Sequence, residues 1–150
     1  MKLRFVWIGK TKDRDWKTLQ DEYLRRLSHF ARCEVTEIRE SAGHEGPEIE
    51  GERILAALNQ KTFAVLMDVK GEAISSPRLA EMVESWQNRG LKEVTFLIGG
   101  ADGVSRRVAE KADISLSLSF LTFTHEMARV ILLEQLYRAY TIIKGFPYQK

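Results

Sequence analysis

The sequence has a single cysteine, Cys33, and only three histidines in 150 residues. A lone cysteine excludes an internal disulfide and suits a reducing compartment. His29, His44 and His125 sit in separate segments without ligand spacing, so no metal site is expected. No serine occupies a Gly-x-Ser-x-Gly elbow, which removes the usual signature of a nucleophilic hydrolase. No apolar run approaches the roughly 20 residues that span a bilayer. Met1–Ile8 opens as a strand pattern, unlike the apolar core of a signal peptide. A cytoplasmic location with no membrane partner is therefore the expectation. No internal repeat, low-complexity segment or linker interrupts the chain, so residues 1–150 read as one domain.

What is present is a near balance of charge, unevenly spread. The net charge is +2, too small to mark a nucleic-acid binder. Lys10, Lys12, Arg14, Lys17, Arg25, Arg26 and Arg32 crowd the first segment, whereas Glu34, Glu37, Glu40, Glu45, Glu48, Glu50 and Glu52 make the next one acidic. The basic segment suits either a phosphate-binding face or ordinary solvated helix charge, and composition alone favours the second.

Apolar periodicity sets the elements. Leu3–Ile8 and Cys33–Ile38 read as strands, and Trp16, Leu19, Tyr23, Leu27 and Phe30 recur at helical spacing between them. Pro47 suits the first turn of a second helix. The continuous apolar run Phe63–Met67 marks a strand covered on both faces, ending at Asp68 in a loop that carries Gly71. A helix from Ser76-Pro77 to Gly90 follows, then a strand over Val94–Ile98, a short helix capped by Ser105, and a strand over Ile114–Leu118. The longest helix runs from about His125 to Ile143 and is closed by Gly145. Five strands alternating with helices predict an α/β fold with a mostly parallel sheet flanked by helices.

Open α/β sheets bind ligands beyond the carboxyl ends of their strands. Three such ends are unusual: Met67 through Gly71, Gly99-Gly100-Ala101-Asp102-Gly103, and Ser119–Phe123. The glycine run serves either a tight turn or a close backbone approach to a ligand. It is neither a dinucleotide fingerprint nor a phosphate loop. Ser119–Phe123 is apolar where a loop is normally polar, and suits the wall of a pocket for a flat group. His125 and Arg129 are four apart at the start of the last helix and share one face. They suit an anionic substrate, unless Arg129 and Arg138 pair with Glu126 and Glu134 on the surface.

Several motifs recur together over nearly the whole chain. They are Met1-Lys2-Leu3 to Gly9-Lys10 with Trp16 and Tyr23, Leu97-Ile98-Gly99-Gly100 closed by Gly103, Ser117–Phe123 with His125, Arg129-Val130 through Glu134-Gln135-Leu136-Tyr137-Arg138-Ala139, and Pro147-Tyr148. In this combination the chain resembles the ribosomal RNA large subunit methyltransferase H family, small members of the SPOUT class.

The resemblance implies a SPOUT-type fold with a deep trefoil knot in the C-terminal half, and a homodimer with its active site at the subunit interface. It implies methyl transfer from S-adenosylmethionine to N3 of a pseudouridine in large-subunit (23S) ribosomal RNA, on the assembled ribosome. The cofactor residues implied are Met67, Gly99, Gly100, Leu118, Ser119, Phe120, Leu121, Thr122 and Phe123. His125, Arg129 and Tyr148 are implied at the catalytic centre, and Arg138, Gln149 and Lys150 at the substrate. In one place the chain departs from the pattern: the family tail typically reads Tyr-His, whereas Gln149 follows Tyr148 here. An amide does not titrate near neutrality, so Gln149 can hydrogen-bond RNA but cannot move a proton. Two alternatives follow, a catalytically impaired ribosome-binding homologue and a SPOUT enzyme acting on transfer RNA.

Overall fold

The computed structural model describes residues 1–148; Gln149 and Lys150, both expected at the substrate, lie outside the described residues. Ten elements follow one another: β1 (Lys2–Ile8), α1 (Arg14–Leu27), β2 (Cys33–Ile38), α2 (Gly46–Ala57), β3 (Phe63–Ala73), α3 (Ser76–Asn88), β4 (Glu93–Ile98), α4 (Arg106–Lys111), β5 (Ile114–Ser117) and α5 (His125–Lys144). The strands form one sheet in the order β2-β1-β4-β3-β5, and every pairing is parallel. Parallel strands need helical crossovers, and these cover both faces.

Alternation along the strands fills two apolar layers. Leu3, Phe5 and Trp7 of β1, with Phe96 of β4 and Val65 of β3, pack toward Leu27 of α1, Val83 and Trp86 of α3, and Leu132, Leu133 and Leu136 of α5. Val6, Ile8, Leu66 and Leu97 face the other way, toward Ile54 of α2 and Val108 of α4. The long helices α1, α3 and α5 thus lie on one face and the shorter α2 and α4 on the other.

Helix ends follow local chemistry. The Asp13 carboxylate accepts from the backbone N–H of Asp15 and Trp16, Ser75 caps α3, Ser105 caps α4 and Thr124 caps α5. Gly145 closes α5 at φ 69°, a left-handed conformation that glycine adopts without strain.

Two expectations are corrected. Leu19, placed on the apolar stripe of α1, is 42% exposed, whereas Gln20 is buried and its Oε1 accepts from the Thr11 hydroxyl at 2.5 Å. Gln20, Tyr23, Leu24 and Leu27, at helical spacing, are the positions that face inward. The loop expected after Met67 is instead a continuation of β3. The strand breaks its register between Met67 and Glu72 and then pairs with β5 again, Glu72 against Leu116 and Ala73 against Ser117. Gly71 permits this close passage: a Cβ there would lie 2.6 Å from the Leu116 carbonyl carbon.

Candidate functional site

Because β4, β3 and β5 are parallel neighbours, their carboxyl ends open side by side. The loops leaving them enclose a cavity of 230 Å³. Leu66 to Val69 come from β3, and Ile98 to Ala101 with Gly103 and Val104 from the end of β4. Leu118, Ser119, Leu121, Thr122 and Phe123 form the third wall, and His125 and Ala128 of α5 complete it. Eight of the nine expected cofactor residues therefore meet at one cavity. Phe120 does not; it points outward and is 73% exposed.

Each wall is braced from within. Asp68 accepts from the Lys70 backbone N–H at 2.9 Å. Gly103 N–H donates to the Gly100 carbonyl at 3.0 Å, closing the glycine turn. A Cβ on Gly99 would stand 2.6 Å from Val104 Cγ1 and 2.9 Å from the Gly103 carbonyl oxygen. Turn geometry alone thus requires this glycine, and the same turn lines the cavity. The Ser117 hydroxyl donates to the Ser119 carbonyl at 2.9 Å, and Leu121 N–H donates to Ser119 Oγ at 3.0 Å. A second cavity of 210 Å³ adjoins the first across Met67 and Leu118, which line both, and reaches Ser75, Ser76 and Gln135 between the sheet and α3 and α5.

The expected catalytic residues separate. His125 lines the first cavity. Arg129 turns into the protein instead: it is 2% exposed, and its guanidinium carbon lies 4.9 Å from the centroid of the Trp7 ring. Its Nη1 donates to Thr11 Oγ1 at 2.9 Å and its Nη2 to the Ile8 carbonyl. Burial pushes its pKa below the ordinary arginine value. Glu126, beside it, accepts from the backbone N–H groups of Lys12 and Asp13. The first turn of α5 therefore grips the loop between β1 and α1, a role that neither sequence reading of Arg129 foresaw.

Arg138 and Tyr148 form a different group. Tyr148 donates to Glu134 Oε1 at 3.1 Å, and its hydroxyl lies 3.5 Å from that of Tyr23. Arg138 pairs with Glu134 and stands 5.0 Å over the Tyr148 ring, which meets Tyr137 edge-on at 4.7 Å. Burial, the Tyr23 bond and the Glu134 charge push the Tyr148 phenol above the ordinary range. The Arg138–Glu134 pair allowed by the spacing is present, and Glu134 holds Arg138 and Tyr148 together. Thirteen positions separate His125 from Arg138, about 20 Å of helix. Within one chain the two groups stay apart.

Asp68 and Val69 fall within the strand end singled out in the sequence, whereas sequence reasoning missed Val104 and Ala128 at the cavity. The last could have been found, since Ala128 follows His125 by one helical turn.

A family model described as "Predicted SPOUT methyltransferase" matches residues 1–149, and the chain belongs to that family. Relatives named ribosomal RNA large subunit methyltransferase H align end to end with it. The protein of Desulfotalea psychrophila is 43% identical over 154 aligned positions, covering 100% of both chains. That of Carboxydothermus hydrogenoformans is 40% identical, again over 100% of both. Among solved structures, "a probable methylase family protein from Haemophilus influenzae Rd KW20" superposes with a TM-score of 0.58 at 12% identity, covering 99% of this chain and 70% of that one, which shows a shared fold. The chain is a methyltransferase, and its site has to hold a methyl donor.

Proposed function

We propose that this protein transfers a methyl group from S-adenosylmethionine to N3 of a pseudouridine in large-subunit ribosomal RNA, on the assembled ribosome, as a cytoplasmic homodimer of single-domain chains. The carrying observation is the cavity at which three parallel strand ends converge. Its walls suit the cofactor: Met67, Leu118, Leu121 and Phe123 offer apolar surface to adenine, and the backbone around Gly99 and Gly100 offers hydrogen-bonding groups to the polar parts. The relatives' names support large-subunit ribosomal RNA as the substrate class, and the pseudouridine N3 target and the family's trefoil knot come with the resemblance.

Bound there, S-adenosylmethionine supplies an electrophilic methyl group on a sulfonium. The N3 nitrogen attacks best once its proton has left, and His125, which lines the cavity, is the base in this reading. Arg138 and Tyr148 orient the base. Since about 20 Å of helix separates them from His125, a second copy supplies them, and the active site is complete only in the dimer. Gln149 then serves as a hydrogen-bonding group beside Tyr148, and Lys150 as a phosphate contact.

The test is tritium transfer from labelled S-adenosylmethionine to ribosomes lacking the modification, with mass spectrometry of the digested RNA. Label at N3 of a large-subunit pseudouridine is expected. Cofactor binding without transfer would overturn the reaction and leave a ribosome-binding homologue.

A further inference from the structure

A groove lies between the C-terminal ends of α1 and α5, away from the strand-end cavity. It encloses 760 Å³. Arg25, Arg26 and His29 line one side and Lys144 the other, and among the described residues no carboxylate lines it. Its floor is aromatic. Phe30 stacks on Tyr140 at 5.4 Å, and Phe146 packs against Phe30 at 6.0 Å while staying 55% exposed.

Glu22 binds Arg25 and Arg26 from the flank. Three fixed cations against one anion leave a charge of +2, and the Arg25 side chain is still 62% exposed. The C-terminal dipoles of α1 and α5 account for cations in those last turns. They do not account for a concave surface, nor for an aromatic ring held open to solvent within it. The groove also connects to the tail cluster: Arg26 stands 5.3 Å over the Tyr23 ring and 5.6 Å over Tyr137, the two rings that flank Tyr148.

We infer that this groove docks the backbone of the substrate RNA beside the target nucleotide. Arg25, His29 and Lys144 meet phosphates, and Phe146 offers its face to an unpaired base. Cations interleaved with exposed aromatic rings suit single-stranded or looped RNA, whose unstacked bases can lie on a ring while the backbone follows the cations. The inference rests on the reading of the protein as an RNA methyltransferase and adds where the RNA is held.

The experiment uses the full chain, with Arg25→Gln/Lys144→Gln as a double variant and Phe146→Ala as a single one. Binding to large ribosomal subunits lacking the modification is measured across salt, alongside S-adenosylmethionine affinity and sedimentation velocity. Two lost phosphate contacts should make the wild-type advantage shrink roughly tenfold between about 50 and 200 mM salt. Phe146→Ala should weaken binding with the salt slope unchanged. Cofactor affinity and oligomeric state should match wild type throughout.

Equal affinity and slope in all three proteins would overturn the groove. So would a double variant with altered assembly, since the groove would then be a subunit contact, or a wild type that does not bind the subunits. The reaction fails separately: a wild type that binds with the expected slopes but transfers no methyl group sinks the proposed chemistry and keeps the groove.

Discussion

The guanidinium of Arg129 stacks 4.9 Å from the centroid of the Trp7 ring, joining the first turn of α5 to the end of β1. Its bonds to the Ile8 carbonyl and the Thr11 hydroxyl fix the next residues of the chain, and Thr11 passes the constraint on to Gln20 of α1. One side chain thus sets the relation of β1, α1 and α5 next to the cavity that His125 lines.

Arg129→Met should destabilise the protein by about 2–4 kcal/mol, because it leaves buried acceptors without a donor. Arg129→Lys should cost roughly half as much: it keeps the charge but loses the planar fork that reaches both oxygens and stacks on Trp7. Urea denaturation of both variants checks this. A methionine variant as stable as wild type would show that the guanidinium is held there for a ligand instead.

Tyr140 predicts an alkaline limit to stability. Burial pushes its hydroxyl up to about 12, and among the described residues the oxygen has no hydrogen-bond partner. An unfolded tyrosine titrates near 10. Between these values the unfolded chain releases a proton that the folded chain keeps, so stability falls as pH rises. Below about pH 10 the contribution is fully present. Tyr140→Phe keeps the stacking on Phe30 and removes the unsatisfied oxygen. It should be equal to wild type or up to about 1 kcal/mol more stable at neutral pH, with a shallower decline above pH 10. An unchanged decline would remove Tyr140 as its source.

The elements were legible in the sequence because continuous apolar strands and capped amphipathic helices are local signals. Ser105 caps and Gly145 closes a helix where the pattern places them. Sheet order was not legible, since nothing local to β1 says that β4 and β2 flank it. The three strand ends were found by their odd composition, and the parallel neighbours β4, β3 and β5 explain why they meet. The burial of Arg129 was not read, whether it was taken as a cation facing an anionic substrate or as one paired on the surface, although a signal existed. The residue falls three, four and seven positions before Leu132, Leu133 and Leu136, and so lies on the stripe that those leucines bury. The extension of β3 past Met67 was hidden because Asp68, Lys70 and Glu72 look like a loop, and only the return to β5 at Glu72 and Ala73 gives the far end a partner strand.

That return makes a contrast between two glycines. At Gly71 an added methyl meets the Leu116 backbone at 2.6 Å, and backbone within a paired strand cannot give way cheaply. Gly71→Ala should therefore cost about 3 kcal/mol or prevent folding. At Gly99 the nearest atom belongs to the Val104 side chain, with the Gly103 carbonyl oxygen next at 2.9 Å, so Gly99→Ala should cost less, about 1–2 kcal/mol. Soluble yield and thermal midpoints rank the two. The opposite order would mean that the glycine turn, and not the strand crossing, is the tighter point of the fold.

The loop after β5 separates two phenylalanines by direction. Phe123 lines the strand-end cavity and is partly buried, whereas Phe120 stands outside it and is 73% exposed. If the cavity holds S-adenosylmethionine, Phe123→Ala removes apolar wall and should weaken cofactor binding roughly tenfold, about half the value of a fully buried ring. Phe120→Ala should leave that affinity within about a factor of two, since scattered exposed apolar groups contribute little. Calorimetric titration of both variants decides the matter without a ribosome. A large loss for Phe120→Ala would mean that the loop folds over the bound cofactor and turns Phe120 inward. Equal small losses would mean that the cofactor lies against the other two walls, leaving the apolar Ser119–Phe123 segment to serve a partner chain or the RNA.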